Sequence, residues 1–191
     1  MRFFAVSLAL LAAPPMASPQ IVEEVRIGVI QHNVCIANCD NANKEDGPNV
    51  TGEIVLASPG LLDIIWSPRP YVMASLNTAG DTSFGGFGLH WSWGLAGGWS
   101  LEPGLGYVLH DGEITFPFPQ GDPRNDPVSA TTVFFGSRDL FRTSLSLNRD
   151  FADRWGAQLM YEHLSHGQIL GSGRNQGIDN VGVRVIYRYG G

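Results

Sequence analysis

The sequence predicts an all-β protein, an eight-stranded antiparallel transmembrane β-barrel. Three observations support this fold: eight segments with strand character, alternation of apolar and polar residues within them, and a composition rich in glycine and aromatic residues. An even number of antiparallel strands, each about ten residues long, is typical of outer-membrane barrels. The predicted strands cover residues 24–33, 50–58, 70–76, 83–94, 98–110, the middle part of 132–150, 154–165 and 178–189.

The last predicted strand shows the alternation most clearly. Val181, Val183 and Val185 share one face, and Arg184 and Arg188 lie on the other. In a small membrane barrel the apolar face meets lipid and the polar face fills the interior. Charges enclosed in this way must pair, because an isolated buried charge is costly. The same reasoning, applied to each strand, places a set of charged residues inside: Arg26, Glu102, Glu162, Arg184 and Arg188.

A soluble, lipocalin-like barrel would have the same alternation with its two faces exchanged. An apparent export signal and the position of the tryptophans favour the membrane alternative, because aromatic residues collect at the membrane interfaces of such barrels. The tryptophans near the predicted strand ends are Trp66, Trp91, Trp93, Trp99 and Trp155.

The first twenty residues have the features of a secretory signal. Arg2 supplies the positive start, and an apolar run over residues 3–13 follows it. This run is too short to cross a bilayer as a helix. We therefore predict a signal peptide over residues 1–17, with cleavage after Ala17 or Ser18, and a single barrel domain over residues 18–191.

Charge and cysteine content restrict the partners. The formal net charge of −6 argues against a nucleic-acid partner. Cys35 and Cys39 are the only cysteines, and in an exported protein they predict a disulfide, with two unpaired thiols as the alternative. A metal site has less support from the sequence than either alternative, because only His32 lies near the two cysteines as a further ligand. We expect no metal and no cofactor.

The connections differ in length. With both termini in the periplasm, the connections after the first, third, fifth and seventh predicted strands are external. Two of them, residues 34–49 and 111–130, are long, and long external loops with short periplasmic turns are the usual asymmetry. The seventh strand then runs outward and ends at the cell surface.

A serine, a histidine and a carboxylate meet at that end. Residues two apart on a strand share a face, so His163 and Ser165 are neighbours, and Asp179 opens the next strand at the same level. These are the parts of an acyl-transfer triad. The alternative is that polar residues are simply tolerated where a strand reaches the headgroup zone. Glu162 is a poorer choice of acid than Asp179, because it lies on the opposite face from His163.

The sequences around these residues resemble the lipid A 3-O-deacylase (PagL) family. The resemblance lies in residues 162–167 (EHLSHG), 175–182 (NQGIDNVG) and 184–189. It implies an eight-stranded outer-membrane barrel with Ser165 as nucleophile, His163 as base and Asp179 as acid, where the family commonly has Glu. The family often has Asn directly after the serine, associated with the oxyanion site. Here that position is His166, so His166 and Gly167 become the candidate oxyanion residues.

The resemblance further implies an outer-membrane serine esterase that removes the 3-O-acyl chain of lipid A in the outer leaflet. Two alternatives stay open: a structural or adhesin-like barrel with a degenerate triad, and an esterase for other acyl lipids. Lipid A of lipopolysaccharide and the outer membrane are the expected partners. The sequence leaves both a monomer and a homodimer open.

Overall fold

The structure is a computed structural model, and it describes residues 20–37, 39–42 and 44–189. The predicted signal peptide and its cleavage sites lie outside the described residues. Eight long antiparallel strands form the fold, with one additional two-residue strand, β5. The strands are β1 (Val22–Gln31), β2 (Pro48–Leu56), β3 (Arg69–Asn77), β4 (Phe84–His90), β5 (Trp93–Gly94), β6 (Trp99–His110), β7 (Asp139–Asp150), β8 (Trp155–Ser165) and β9 (Ile178–Arg188).

The sheet closes on itself. Each long strand pairs with its sequence neighbours, β4 pairs with β6, and β1 pairs with β9. Closure removes the unpaired edges that an open sheet would present to lipid. The prediction of a closed, eight-stranded antiparallel barrel is therefore confirmed.

Helical structure in the described residues is confined to short elements. They are one α-helix, α1 (Asn125–Ser129), and three 3-10 helices, η1 (Cys39–Asn41), η2 (Gly60–Ile65) and η3 (Ala96–Gly98). Within the described residues, none of these is long and apolar enough to cross a membrane.

The two faces of the wall follow the predicted alternation. Val183 and Val185 are 55% and 50% exposed on the outer face, whereas Arg184 is 3% exposed and lies inside. The buried side chains form a connected ion-pair network in which Arg26 contacts Glu53 and Glu102, and Arg142 contacts Glu162. The predicted charged interior is thus present, and nearly every charge in it has an opposite partner.

Connections of unequal length cap the two ends. We call the end formed by residues 32–47, 78–83, 111–138 and 166–177 the loop end, and the end formed by 57–68, 91–98 and 151–154 the turn end. All five tryptophans lie at or near the turn end, in the connections or at strand starts. The tryptophans do lie near strand ends, as the sequence predicts, but they mark one rim rather than two.

Part of the predicted sixth strand has a different role. Strand β7 begins only at Asp139, and the apolar run before it forms no strand. Val133, Phe134 and Phe135 are at most 1% exposed, and Val133 and Phe135 belong to the buried apolar cluster. The apolar run therefore closes the barrel interior at the loop end.

Glu45 ties the connections of the loop end together. Its side chain is hydrogen-bonded to His32 and accepts from the backbone N–H groups of Thr82 and Val133. Burial raises the pKa of the Glu45 carboxyl, but these hydrogen bonds outweigh it, and the net shift is downward. The carboxylate thus joins three connections above the barrel.

The outer face provides a direct test of membrane insertion. Val183 lies midway along β9, and replacing it with arginine is expected to destabilise the barrel by about 2–4 kcal/mol, because the charge would lie at the bilayer midplane. Urea titration of the barrel in lipid vesicles measures this change. Tyr189→Arg, at the rim, serves as the control, with an expected cost of about 0–1 kcal/mol. Equal effects at the two positions would contradict a lipid-facing strand.

Candidate active site

The three residues singled out by the sequence lie at the loop end. Strand β8 ends at Ser165, and Asp179 is the second residue of β9. His163 and Asp179 are direct partners in the β8–β9 ladder. Residues of β8 alternate, so that Leu159 is exposed and Met160, Glu162 and Leu164 are buried. His163 and Ser165 therefore belong to the outer face, as the strand pattern predicts.

The imidazole of His163 is joined to the carboxylate of Asp179. The distance from His163 Nδ1 to Asp179 Oδ1 is 2.7 Å. A carboxylate can only accept, so the proton of this hydrogen bond lies on Nδ1. In a neutral imidazole held in this way, the remaining nitrogen, Nε2, carries a lone pair, which is the tautomer a general base requires.

Asp179 is held from several sides. Its Oδ2 accepts from the backbone N–H of Ala37 at 2.5 Å, and its Oδ1 accepts from the Tyr161 hydroxyl at 3.0 Å. Its backbone carbonyl accepts from Val34 N–H at 2.8 Å. Although Asp179 lies on the outer-face row of β9, it is fully buried. These contacts fix the carboxylate in position and keep water from competing for the imidazole.

Sequence reasoning missed Tyr161 and the Ala37 amide. Tyr161 carried a usable signal, because it precedes His163 by two residues and so shares its face. A backbone amide carries no signal in the sequence, and only the path of the first connection brings Ala37 to the site.

A disulfide joins Cys35 and Cys39, as predicted. The pair encloses Ala37, whose N–H is bonded to Asp179. The crosslink therefore closes the loop whose Ala37 contacts the candidate acid. It restricts the short segment that supplies one of the carboxylate's hydrogen bonds.

Removing this disulfide is expected to affect the site more than the barrel. The enclosed loop is short, so the loss of stability in a Cys35→Ser, Cys39→Ser double variant should fall at the low end of about 0–5 kcal/mol.

Thiol labelling of the denatured, unreduced wild-type protein should find no reactive thiol, whereas the reduced protein should react. Two reactive thiols per chain without reduction would contradict the bond.

Ser165 is half-buried at the end of β8. Within the described residues the structure contains no hydrogen bond between its hydroxyl and His163, although the sequence predicts one. Catalytic hydrogen bonds in unliganded sites are often loose and tighten when substrate binds. The structure thus joins His163 to Asp179, and Ser165 lies two residues beyond His163 on the same face of β8.

The residues after Ser165 form a tight turn. His166 is fully buried; its Nε2 lies 2.8 Å from the carbonyl of Arg174, and its Nδ1 accepts from Gln168 N–H. Both ring nitrogens are therefore engaged within the β8–β9 connection. Gly167 has a φ of +59°, which glycine adopts without strain, and within the described residues its N–H has no partner.

Asn175 and Gly177 complete the surroundings. The Asn175 amide oxygen accepts from the His166 N–H at 3.1 Å, and its Nδ2 has no hydrogen-bond partner among the described residues. A Cβ on Gly177 would lie 2.9 Å from His163 Cε1 and 3.2 Å from Nε2. Only glycine therefore lets the connection pass so close to the imidazole.

The closed antiparallel barrel, with apolar side chains on its outer face and paired charges inside, is that of an outer-membrane β-barrel protein. The model of the lipid A 3-O-deacylase (PagL) family matches residues 70–188. The chain belongs to this family. The match runs from the second residue of β3 to the end of β9 and contains all three site residues, whereas Ala37 and the disulfide precede it.

A solved crystal structure shares the fold. The crystal structure of the outer membrane enzyme PagL has a TM-score of 0.58 and 12% identity, covering 86% of this chain and 98% of that one. The structure of the outer membrane protein Ail of Yersinia pestis has a TM-score of 0.48 and 9% sequence identity, covering 89% of this chain and 100% of that one. The structure of the de novo designed protein TMB2.3 has a TM-score of 0.47 and 8% sequence identity, covering 91% of this chain and 100% of that one. No curated protein sequence matches the chain.

Proposed function

We propose that this protein is an outer-membrane serine esterase that removes the ester-linked 3-O-acyl chain of lipid A. The observation that carries the proposal is the bonded His163–Asp179 pair beside Ser165 on the outer wall. Membership of the lipid A 3-O-deacylase family supplies the substrate class. A lipid-facing site suits an ester whose acyl chain is embedded in the bilayer.

The chemistry follows from the arrangement. His163 Nε2 takes the proton of Ser165 Oγ as the oxygen attacks the ester carbonyl, and Asp179 stabilises the imidazolium that forms. The imidazolium then protonates the leaving sugar oxygen, the carbon–oxygen ester bond breaks, and the acyl group remains on Ser165. Water, deprotonated by His163, attacks this acyl-enzyme and releases the fatty acid while Oγ recovers its proton.

The developing oxyanion needs hydrogen-bond donors. We assign this role to the Gly167 N–H and the Asn175 Nδ2, because both lie next to the nucleophile in the β8–β9 connection and neither has a partner in the described residues. The ring of His166 holds the connection together instead, since both of its nitrogens are already bonded.

The loop end is assigned to the outer-leaflet side of the membrane. Its long connections fit the external side of a barrel with both termini in the periplasm. Ser165, at the end of a strand, would then lie near the boundary between acyl chains and headgroups. The 3-O ester of lipid A lies at that same boundary.

One observation favours a rival. In the described residues no hydrogen bond joins the Ser165 hydroxyl to His163. A degenerate triad in a structural or adhesin-like barrel would have the same feature. Mass spectrometry of lipid A from matched cells with and without the protein separates the two. Loss of one hydroxyacyl chain supports the proposal. Unchanged lipid A with the folded protein in the membrane would contradict it, and release of fatty acid from phospholipid instead would identify an esterase for other acyl lipids.

A further inference from the structure

The first connection, residues 32–47, lies against the start of β9. Val34 N–H donates to the backbone carbonyl of Asp179 at 2.8 Å, and Asn33 N–H donates to the side chain of Asn180 at 3.0 Å. Both bonds lie just beyond the last residue pair of the β1–β9 ladder. The backbone of the connection is therefore attached to the residue that carries the candidate acid.

A second attachment lies on the far side of the disulfide. Asn33 Nδ2 donates to the carbonyl of Asn41 at 2.7 Å, and Asn41 Nδ2 donates to the carbonyl of Gly177 at 3.4 Å. Both asparagines are buried. The segment between them, which contains Cys35 and Cys39, is therefore held at its two ends by buried hydrogen bonds.

The middle of this segment has little packing to hold it. Cys35, Ile36, Ala37 and Cys39 are all exposed. An exposed residue gains little from apolar burial. Among the described contacts, the crosslink between Cys35 and Cys39 and the hydrogen bond from Ala37 therefore restrict this backbone.

The two oxygens of the Asp179 carboxylate have different partners. Oδ1 is bonded to His163 Nδ1 at 2.7 Å and accepts from the Tyr161 hydroxyl at 3.0 Å, whereas Oδ2 accepts from Ala37 N–H at 2.5 Å. The terminal torsion of an aspartate is broad, so bonds at one oxygen alone allow the carboxylate to rotate. The bond at Oδ2 keeps Oδ1 directed at the imidazole. Ala37 therefore acts on His163 through Asp179.

We infer that the disulfide-closed loop positions Asp179 for catalysis, so that hydrolysis depends on the oxidation state of Cys35 and Cys39. This role rests on the proposed esterase function and assigns two positioning groups to it, the Ala37 N–H and the disulfide that holds it. Both lie outside residues 70–188, the part of the chain that the family model matches. Because both cysteines are exposed, a soluble thiol can reach them.

Reduction by dithiothreitol is a balanced thiol–disulfide exchange. A thiolate of the reagent attacks one sulfur, the S–S bond breaks, and a second exchange leaves two protein thiols and the cyclic disulfide of the reagent. Two electrons and two protons thus pass from the reagent to the protein, and oxidised glutathione reverses the exchange. Without the crosslink, the backbone at Ala37 gains conformations in which its N–H lies away from Asp179 Oδ2.

Hydrolysis in the two redox states tests this role. The oxidised and the reduced wild-type protein are compared in micelles that contain lipid A. On reduction kcat should fall by roughly 10–100-fold, the scale of a small misplacement of a positioned group. KM should stay near its oxidised value, because Asp179 orients the base and does not bind substrate. Oxidised glutathione should restore kcat.

The Cys35→Ser, Cys39→Ser protein is the control for the reagents. It should have the low kcat of the reduced protein and respond to neither dithiothreitol nor oxidised glutathione. Equal kcat in the oxidised and reduced wild-type protein, with the barrel folded, would overturn the inference and leave the esterase intact. Absence of hydrolysis by the oxidised wild-type protein would instead contradict the proposed function.

A pair of proline substitutions tests the amide itself. Ala37→Pro removes the N–H that Asp179 accepts and retains both cysteines, so kcat should fall on the same scale as on reduction. Ile36→Pro is the matched control inside the same crosslinked loop. The Ile36 N–H has no hydrogen-bond partner among the described residues, so kcat should stay near the wild-type value. Equal losses in the two variants would overturn the role of the Ala37 amide.

A double-mutant cycle shows whether the loop acts through Asp179. In Asp179→Ala the acceptor of the Ala37 N–H is gone, so reduction of the disulfide should cause no further loss of kcat. The same fold-loss on reduction in Asp179→Ala as in the wild-type protein would show that the disulfide acts elsewhere, and would overturn the inference.

A spectroscopic measurement does not depend on turnover. The proton that His163 Nδ1 donates to Asp179 is expected to give a proton NMR signal downfield of the amides, assigned by its loss in His163→Ala. The signal should be sharp in the oxidised protein and should broaden or move upfield on reduction. An identical signal in both redox states would overturn the inference, whichever ester the enzyme cleaves.

Discussion

Replacing Ser165 with alanine is expected to abolish the proposed lipid A deacylation, lowering kcat by roughly 10⁶-fold, because the proposed nucleophile is lost. The barrel should fold normally, since the serine lies on the outer wall and contributes no interior contact. Mass spectrometry of lipid A after expression of equal amounts of folded protein measures the effect. Ser172→Ala, in the same β8–β9 connection, is the matched control and should retain full activity.

Substitutions of His163 and of Asp179 should lower the activity to different extents. His163→Ala should be nearly as severe as Ser165→Ala, because the nucleophile and the base act as a unit. Asp179→Asn should be milder, at roughly 10⁴-fold, because orientation and charge stabilisation are impaired while Ser165 and His163 remain. Full deacylation by a folded Ser165→Ala protein would refute the mechanism.

Removing Arg26 is expected to cause the largest loss of stability. The guanidinium is fully buried and donates five hydrogen bonds to Glu24, Glu53 and Glu102. In Arg26→Met these carboxylates lose that partner inside the barrel, and breaking a buried pair in this way costs about 3–5 kcal/mol. Equilibrium urea unfolding in detergent micelles measures the loss.

Two further variants serve as a control and as a partial rescue for Arg26→Met. Arg154→Met, at an exposed turn, should leave the unfolding midpoint unchanged. Adding Glu102→Gln to Arg26→Met should recover part of the stability, because one uncompensated carboxylate is neutralised. Wild-type stability in Arg26→Met would show that Arg69, Arg184 and Arg188 suffice for the network.

Much of the fold could be read from local patterns. Side chains alternate with a period of two along a strand, so the outward Val183 and the inward Arg184 were predictable without any tertiary information. The pairing of His163 with Asp179 was predictable too, because a hairpin connection returns β9 beside β8. The apolar run before Asp139 was not, since hydrophobicity alone does not distinguish a strand from a plug.

The sequence by itself determined the barrel, the face of each strand, the disulfide partners and the three candidate catalytic residues, because all of these depend on short-range periodicity or on residue chemistry. The tertiary structure alone decided that the first connection bonds to Asp179 through the Ala37 N–H, and that both nitrogens of the His166 ring are bonded within its own loop. These facts depend on the paths of irregular loops, which in the case of Ala37 and Asp179 bring together residues far apart in the chain. Neither the alternation of side chains nor the identity of a single residue encodes such long-range relations.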